Sequence, residues 1–193
     1  MKPTTATLII VTTVCFLFVM CKDSNNGSLP AKESFGGFGN QVNWGEHLVT
    51  VSACHDCHSP KKFTAMGMEI DSAHMLAGYM GSPLPDVNKK EFQKKGYVVT
   101  GDLTAWVGPW GVSYTANLTS DETGIGNWTE EQFILALRQG KFKGMTGTRD
   151  LLPPMPWQMY RNMTDDELKA ILAYLKTTKP VDNVVPPPTP PVQ

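Results

Sequence analysis

Long hydrophobic runs are missing from this chain of 193 residues. The most apolar stretch, Leu8 to Met20 with threonines inside it, covers thirteen residues, too few to cross a bilayer as a helix. An excess of charge of one sign is also lacking. Seventeen Lys and Arg stand against 18 Asp and Glu, which leaves neither a basic footprint for nucleic acid nor a broad acidic field. Histidine and cysteine are scarce, with four of each. The cysteines form two pairs, Cys15 with Cys21 near the N-terminus and Cys54 with Cys57 further in. A chain that loses the first pair therefore has no thiols to spare for a structural disulfide. No internal repeat is present. Proline is plentiful but uneven, with five of the 15 between Pro186 and Pro191.

Residues 1–21 hold Lys2 and then the apolar stretch, the pattern of a signal peptide. A buried core helix is disfavoured because Thr and Val are poor helix formers and no amphipathic period appears. Cys21 closes the stretch and is followed by the polar run Lys22-Asp23-Ser24-Asn25-Asn26. This resembles a bacterial lipoprotein processing site, which implies acylation of Cys21, export, and a lipid anchor on the periplasmic side of a membrane. The alternative is a leader cysteine that is simply discarded. Residues 22–41 read as a flexible tether rich in Ser, Asn and Gly. Residues 42–180 read as the folded domain, and residues 181–193 as a Pro-rich tail in extended polyproline conformation.

Three helices are predicted in the domain. The first is expected to start at Asn43, with Glu46 three residues on and Trp44, Leu48 and Val51 on one face. The second starts at Thr129 with Gln132 as its reciprocal cap and stops at Gly140. The third opens on the capping box Thr164-Asp165-Asp166-Glu167 and buries Leu168, Ile171, Leu172 and Leu175. Between Lys61 and Asn127 most of the chain reads as ordered loop. A short charged helix from Asp86 to Lys95 and short strands at Tyr97-Val98-Val99 and Val112-Ser113-Tyr114 are expected within it.

The chemistry is carried by Cys54-His55-Asp56-Cys57-His58. Cys-x-x-Cys-His is a sequence signature of covalent c-type haem attachment. A separation of three residues, about one helical turn, puts both sulfurs on one side of the chain, where they reach the two vinyl groups on one porphyrin edge. Cys54 and Cys57 are then the covalent attachment points of one haem c, and His58 is the proximal iron ligand. A thioredoxin-like reading would need a neighbouring βαβ pattern, which is absent. A zinc site would need two further ligands at similar spacing, and His47 and His74 stand alone.

An electron-passing haem usually fills its sixth position, commonly with Met. Met155 in Pro153-Pro154-Met155-Pro156 is the best candidate, because flanking prolines hold the backbone extended and lower the entropy lost on positioning the thioether. Met159, Met163 and above all His74 remain rivals, and the other methionines read as core filler.

With these segments in view, the chain resembles the class I cytochrome c family. It looks particularly like the monohaem domains in cytochrome subunits of bacterial alcohol and gluconate dehydrogenases. Beside the haem motif, the resemblance rests on Gly45, on the run from Gly111 to Thr119, on Thr123 to Thr129, on Pro154-Met155-Pro156-Trp157 and on Leu172 to Lys176. It implies an all-α fold, helices around one covalent haem, with an enlarged loop region between the haem motif and Met155. It also implies that the first and last helices cross with Gly45 against Tyr174, and that Met155 is the distal ligand. Those subunits usually carry three such haem domains, whereas this chain has one haem motif.

The function expected is a non-enzymatic electron carrier outside the cytoplasm, with a dehydrogenase, respiratory complex or terminal oxidase as redox partner. Two alternatives stand beside it. One is a haem enzyme or ligand sensor of peroxidase type, in which Met155 leaves the iron. The other is an obligate haem subunit of a dehydrogenase or respiratory complex, which an exposed apolar patch near the haem edge would favour.

Overall fold

The first helix, α1, spans Gln41–Val51 and is capped by Asn40, whose side-chain oxygen accepts the Asn43 N–H at 2.9 Å. The expected start at Asn43 is therefore three residues late: Asn43 is the capped donor, not the cap. The buried stripe is also turned, to Gly45, Leu48 and Val49, with Val51 62% exposed. This is a computed structural model that describes residues 35–85, 90, 91, 96 and 98–191. The leader over residues 1–21 with Cys21, most of the tether, and the charged helix expected from Asp86 to Lys95 apart from Lys90 and Glu91 lie outside the described residues. Among the described residues no helix is long and apolar enough to cross a membrane.

Among the described residues there follow α2 at Cys54–His58, α3 at Glu130–Gln139, α4 at Trp157–Tyr160 and α5 at Asp165–Leu175. Both longer ones start as their local chemistry predicts. Thr129 with Gln132 and Thr164 with Glu167 form complete capping boxes, and Gly140 ends α3 in the left-handed conformation, φ 66°. Leu168, Ile171, Leu172 and Leu175 are all buried, each worth roughly 1.5–3 kcal/mol on full burial. They join Leu48 and Val49 of α1, Phe133 of α3, and Leu76 and Ile125 from the loops in one core.

α1 and α5 cross at Gly45. A Cβ placed there would stand 1.9 Å from the Ala170 carbonyl oxygen and 2.9 Å from Cβ of Tyr174. The pairing of Gly45 with Tyr174 is thus present, and the tightest approach is to the α5 backbone itself.

The all-α expectation is corrected. Two small antiparallel sheets fill the region between the haem motif and α3. One is a hairpin of β1 (Lys61–Thr64) and β2 (Gly67–Ile70). The other pairs β3 (Val98–Val99), β4 (Ala105–Gly108) and β5 (Gly111–Tyr114) in that order. Strands of two to four residues are too short to display a period, so the segment reads as loop until its partners are known. The Gly108-Pro109-Trp110-Gly111 sequence is the turn that brings β4 onto β5, Gly108 opposite Gly111. The Pro-rich tail is held against this sheet: Val112 and Thr189 exchange backbone hydrogen bonds of 2.8 and 3.0 Å. Further back, Asn117 donates to the Val181 carbonyl and Asn183 to those of Ala77 and Tyr79.

Candidate functional site

Between α1 and α2 the chain turns at Ala53, which takes a left-handed conformation, φ 58° and ψ 28°. For a residue with a Cβ this costs about 1–2 kcal/mol. The turn places Cys54 and Cys57 one helical turn apart on α2, both half-buried and neither in a disulfide. Burial pushes the Cys54 thiol up to about 11 and raises that of Cys57. Both are therefore protonated at neutral pH. Thiol–disulfide exchange needs a thiolate, so this pair is poorly suited to redox exchange of its own.

His58 ends α2 and is buried. Its Nδ1 lies 2.8 Å from the Ala116 carbonyl oxygen. A carbonyl can only accept, so Nδ1 carries the proton and Nε2 is left with a free lone pair. Burial lowers the pKa of the imidazole, which keeps it neutral. A neutral ring oriented by a hydrogen bond from its second nitrogen is the usual condition of a metal-ligating histidine. The His58 carbonyl in turn accepts the Gly78 N–H at 2.8 Å. Gly78 has φ +74°, and a Cβ there would stand 2.5 Å from the Thr115 oxygen and 2.6 Å from that of Ala116. Only glycine lets this strand lie so close to the carbonyl that orients the imidazole.

Lys61 caps the same, C-terminal end of α2, donating to the carbonyls of His55 (3.0 Å) and Asp56. Its cation lies at the negative end of the helix dipole.

Met155 is half-buried in its proline-flanked loop, and its N–H donates to Leu152 at 3.2 Å. α4 begins two residues later. The Tyr160 hydroxyl at its end donates to the Ser52 carbonyl at 2.7 Å, two residues before Cys54. Burial, with Cys54 and Cys57 nearby, pushes that hydroxyl up to about 12. The segment that follows Met155 is thus tied down beside the cysteine pair. Arg138 of α3 holds the next joint, donating to the carbonyls of Arg161 and Met163.

The rival ligands have surroundings of their own. Met159 is 70% exposed, and Met163 packs on the core. Nδ1 of His74 is engaged by Asp71 at 2.8 Å, and Lys62 takes the other carboxylate oxygen at 2.8 Å. These two partners hold the Asp71 carboxyl down at about 2. Among the described residues no group of three or more His, Cys, Asp or Glu is gathered to hold a metal ion.

Ala116, Gly78, Ser52 and Tyr160 are missed by sequence reasoning. Two of them act through backbone carbonyls and one through a backbone N–H, groups every residue carries, so no residue type marks them.

These residues fit a haem attached through two thioethers. Two neutral thiols sit on one face of a helical turn, next to a buried neutral imidazole with Nε2 free.

No protein-family model matches the chain. Individual curated proteins do. The chain is 38% identical over 94 residues to the fructose dehydrogenase cytochrome subunit of Gluconobacter japonicus, covering 48% of this chain and 17% of that protein. It is 34% identical over 126 residues to the cytochrome c subunit of the quinone alcohol dehydrogenase of Gluconacetobacter polyoxogenes, covering 55% and 26%. Over 68 residues it is 40% identical to the gluconate 2-dehydrogenase cytochrome c subunit of Pantoea cypripedii, covering 34% and 14%. The chain thus spans about a quarter or less of the length of these relatives.

Proposed function

We propose, for a chain that carries a cytochrome c domain of the kind found in dehydrogenase subunits, that it is a single-haem electron carrier exported from the cytoplasm. Cys54 and Cys57 hold one haem c covalently, His58 binds the iron through Nε2, and Met155 fills the distal position. Bound there, the haem iron supplies a one-electron ferric–ferrous couple.

The single observation that carries the reading is the buried His58 fixed by Ala116 beside two protonated thiols. The protein's own work would be to hold His58, through Ala116, and Met155, in its proline-flanked loop, in place for the haem. A potentiometric titration followed by absorbance tests this. It should give one n = 1 wave and, in the oxidised state, a low-spin spectrum with the weak far-red band of a ferric–sulfur bond. A high-spin, five-coordinate spectrum would remove the carrier reading.

The proposed partner is a dehydrogenase subunit. Directly after the haem motif, the β1–β2 hairpin leaves Phe63 (71%), Met66 (90%), Met68 and Ile70 exposed. Its base is clamped by Lys61 to α2 and by Lys62 to Asp71. Apolar side chains presented this way suit docking on another protein.

The lipid anchor at Cys21 belongs to the same proposal. Wild type should fractionate with membranes, and Cys21→Ala should alter processing or release the protein into the soluble exported fraction. Identical soluble fractionation of both would remove the anchor.

A further inference from the structure

We infer that Ser113 is a positioning residue for the iron's distal ligand, acting on the loop that carries it through the Pro153 carbonyl. The inference rests on the reading that Met155 is that ligand.

Three prolines surround Met155, at 153, 154 and 156. None has an N–H, so this loop cannot donate to a neighbouring strand at those positions and can only accept. Its other backbone bonds near Met155 are local, such as Met155 N–H to Leu152 and Met159 N–H to Pro156. The flanks are held at Leu151, whose N–H donates to Gly140 at 2.6 Å, and at Tyr160, so between them an outside donor is what can pin the proline carbonyls, and Ser113 is such a donor. Its hydroxyl donates to the Pro153 oxygen at 2.6 Å, joining residues 40 apart in sequence.

The direction of that bond is set by a second residue. Nε1 of Trp110 lies 3.1 Å from the Ser113 hydroxyl oxygen. An indole N–H can only donate, so the hydroxyl must accept there, and its single proton is turned to Pro153.

Ser113 itself is buried within the sheet. It pairs with Trp106 on β4, and its neighbour Val112 is bound on the other side by Thr189. Three residues beyond Ser113, Ala116 accepts the Nδ1–H of His58. Between them Thr115 donates to Thr104 and accepts from Tyr79. One short segment, residues 113–116, thus anchors the proximal imidazole at one end and the methionine loop at the other. The two anchors are separate bonds on one segment, so removing the Ser113 hydroxyl should free the loop while the Ala116 bond to His58 remains.

The test compares Ser113→Ala, Ser113→Thr, Trp110→Phe and Met155→Ala in the full haem-loaded protein. Readouts are cyanide binding to the oxidised form, the ferric–sulfur band, and amide hydrogen exchange. Ser113→Ala should weaken the band and favour cyanide by about fivefold, the equilibrium worth of one net hydrogen bond. Exchange at the Leu152 and Met155 amides should rise while the α1–α5 core stays protected. Ser113→Thr, which keeps a hydroxyl, should restore all three, and Trp110→Phe should fall between. The inference is overturned if Ser113→Ala behaves as wild type while Met155→Ala binds cyanide freely. It is equally overturned if Ser113→Ala loses protection throughout the core, since the role is then structural. If Met155→Ala itself leaves cyanide binding unchanged, the ligand assignment has failed, and the role of Ser113 falls with it.

Discussion

The Gly45→Val protein is expected to melt several degrees, up to roughly 10 °C, below wild type. Over-filling a packed contact costs about 1–3 kcal/mol and sometimes more, against a total domain stability of about 5–15 kcal/mol. Here the obstacle is backbone, not a side chain that can swing away, because even a Cβ would stand 1.9 Å from the Ala170 oxygen. Gly45→Ala makes the point more sharply. Alanine improves helix propensity by about 1 kcal/mol over glycine, so a free helix would gain. The crossing forces α1 and α5 apart instead, and the net sign should be destabilising. Gly39→Ala is the control: nothing lies within 4 Å of its added Cβ, and the change should stay within about 0.5 kcal/mol. Circular dichroism melts of the three variants decide the matter. A wild-type melting temperature for Gly45→Val would show that the crossing is not what closes the domain.

Met155→Ala should open the iron to carbon monoxide and cyanide and raise peroxidase-like turnover. A thioether is a neutral, weak donor that favours the ferrous state, so Met155→His should stay six-coordinate but at a lower potential. The neighbours supply the contrast. Met159 is largely exposed, and Met159→Ala should change neither spectrum nor stability. Met163 packs on the core, so Met163→Ala should lower the melting temperature and leave the iron closed. His74 is held by Asp71, and His74→Ala should loosen the base of the β1–β2 hairpin only. Opening of the iron by His74→Ala, with Met155→Ala silent, would reassign the distal ligand.

What could be read in advance follows the range of the interactions involved. The starts of α3 and α5 and the stop at Gly140 depend on groups within four residues of one another, and each is found where the local chemistry put it. The start of α1 is not legible because Asn40 and Asn43 are equally good caps, and it is Asn40 that accepts the Asn43 N–H. The buried position is Val49 rather than the exposed Val51, two residues or about 160° away around the helix. The sheets were illegible for a different reason. A strand of four residues such as Ala105–Gly108 has no readable period, and its pairing is settled by partners elsewhere in the chain. At the candidate site, Cys54, Cys57 and His58 stand out because the Cys-x-x-Cys-His signature lies within five residues. The acceptor that orients His58 lies 58 residues away and is a backbone carbonyl, which no residue type announces.

The most direct test of the account is the intact mass of the mature protein after denaturation and acid–organic extraction. One haem per chain should remain attached. It should be lost from the Cys54→Ser, Cys57→Ser double variant, which should also fold poorly because the helices lose an apolar surface to pack against. An apoprotein mass for wild type, or a mass with two haems, would contradict the central claim.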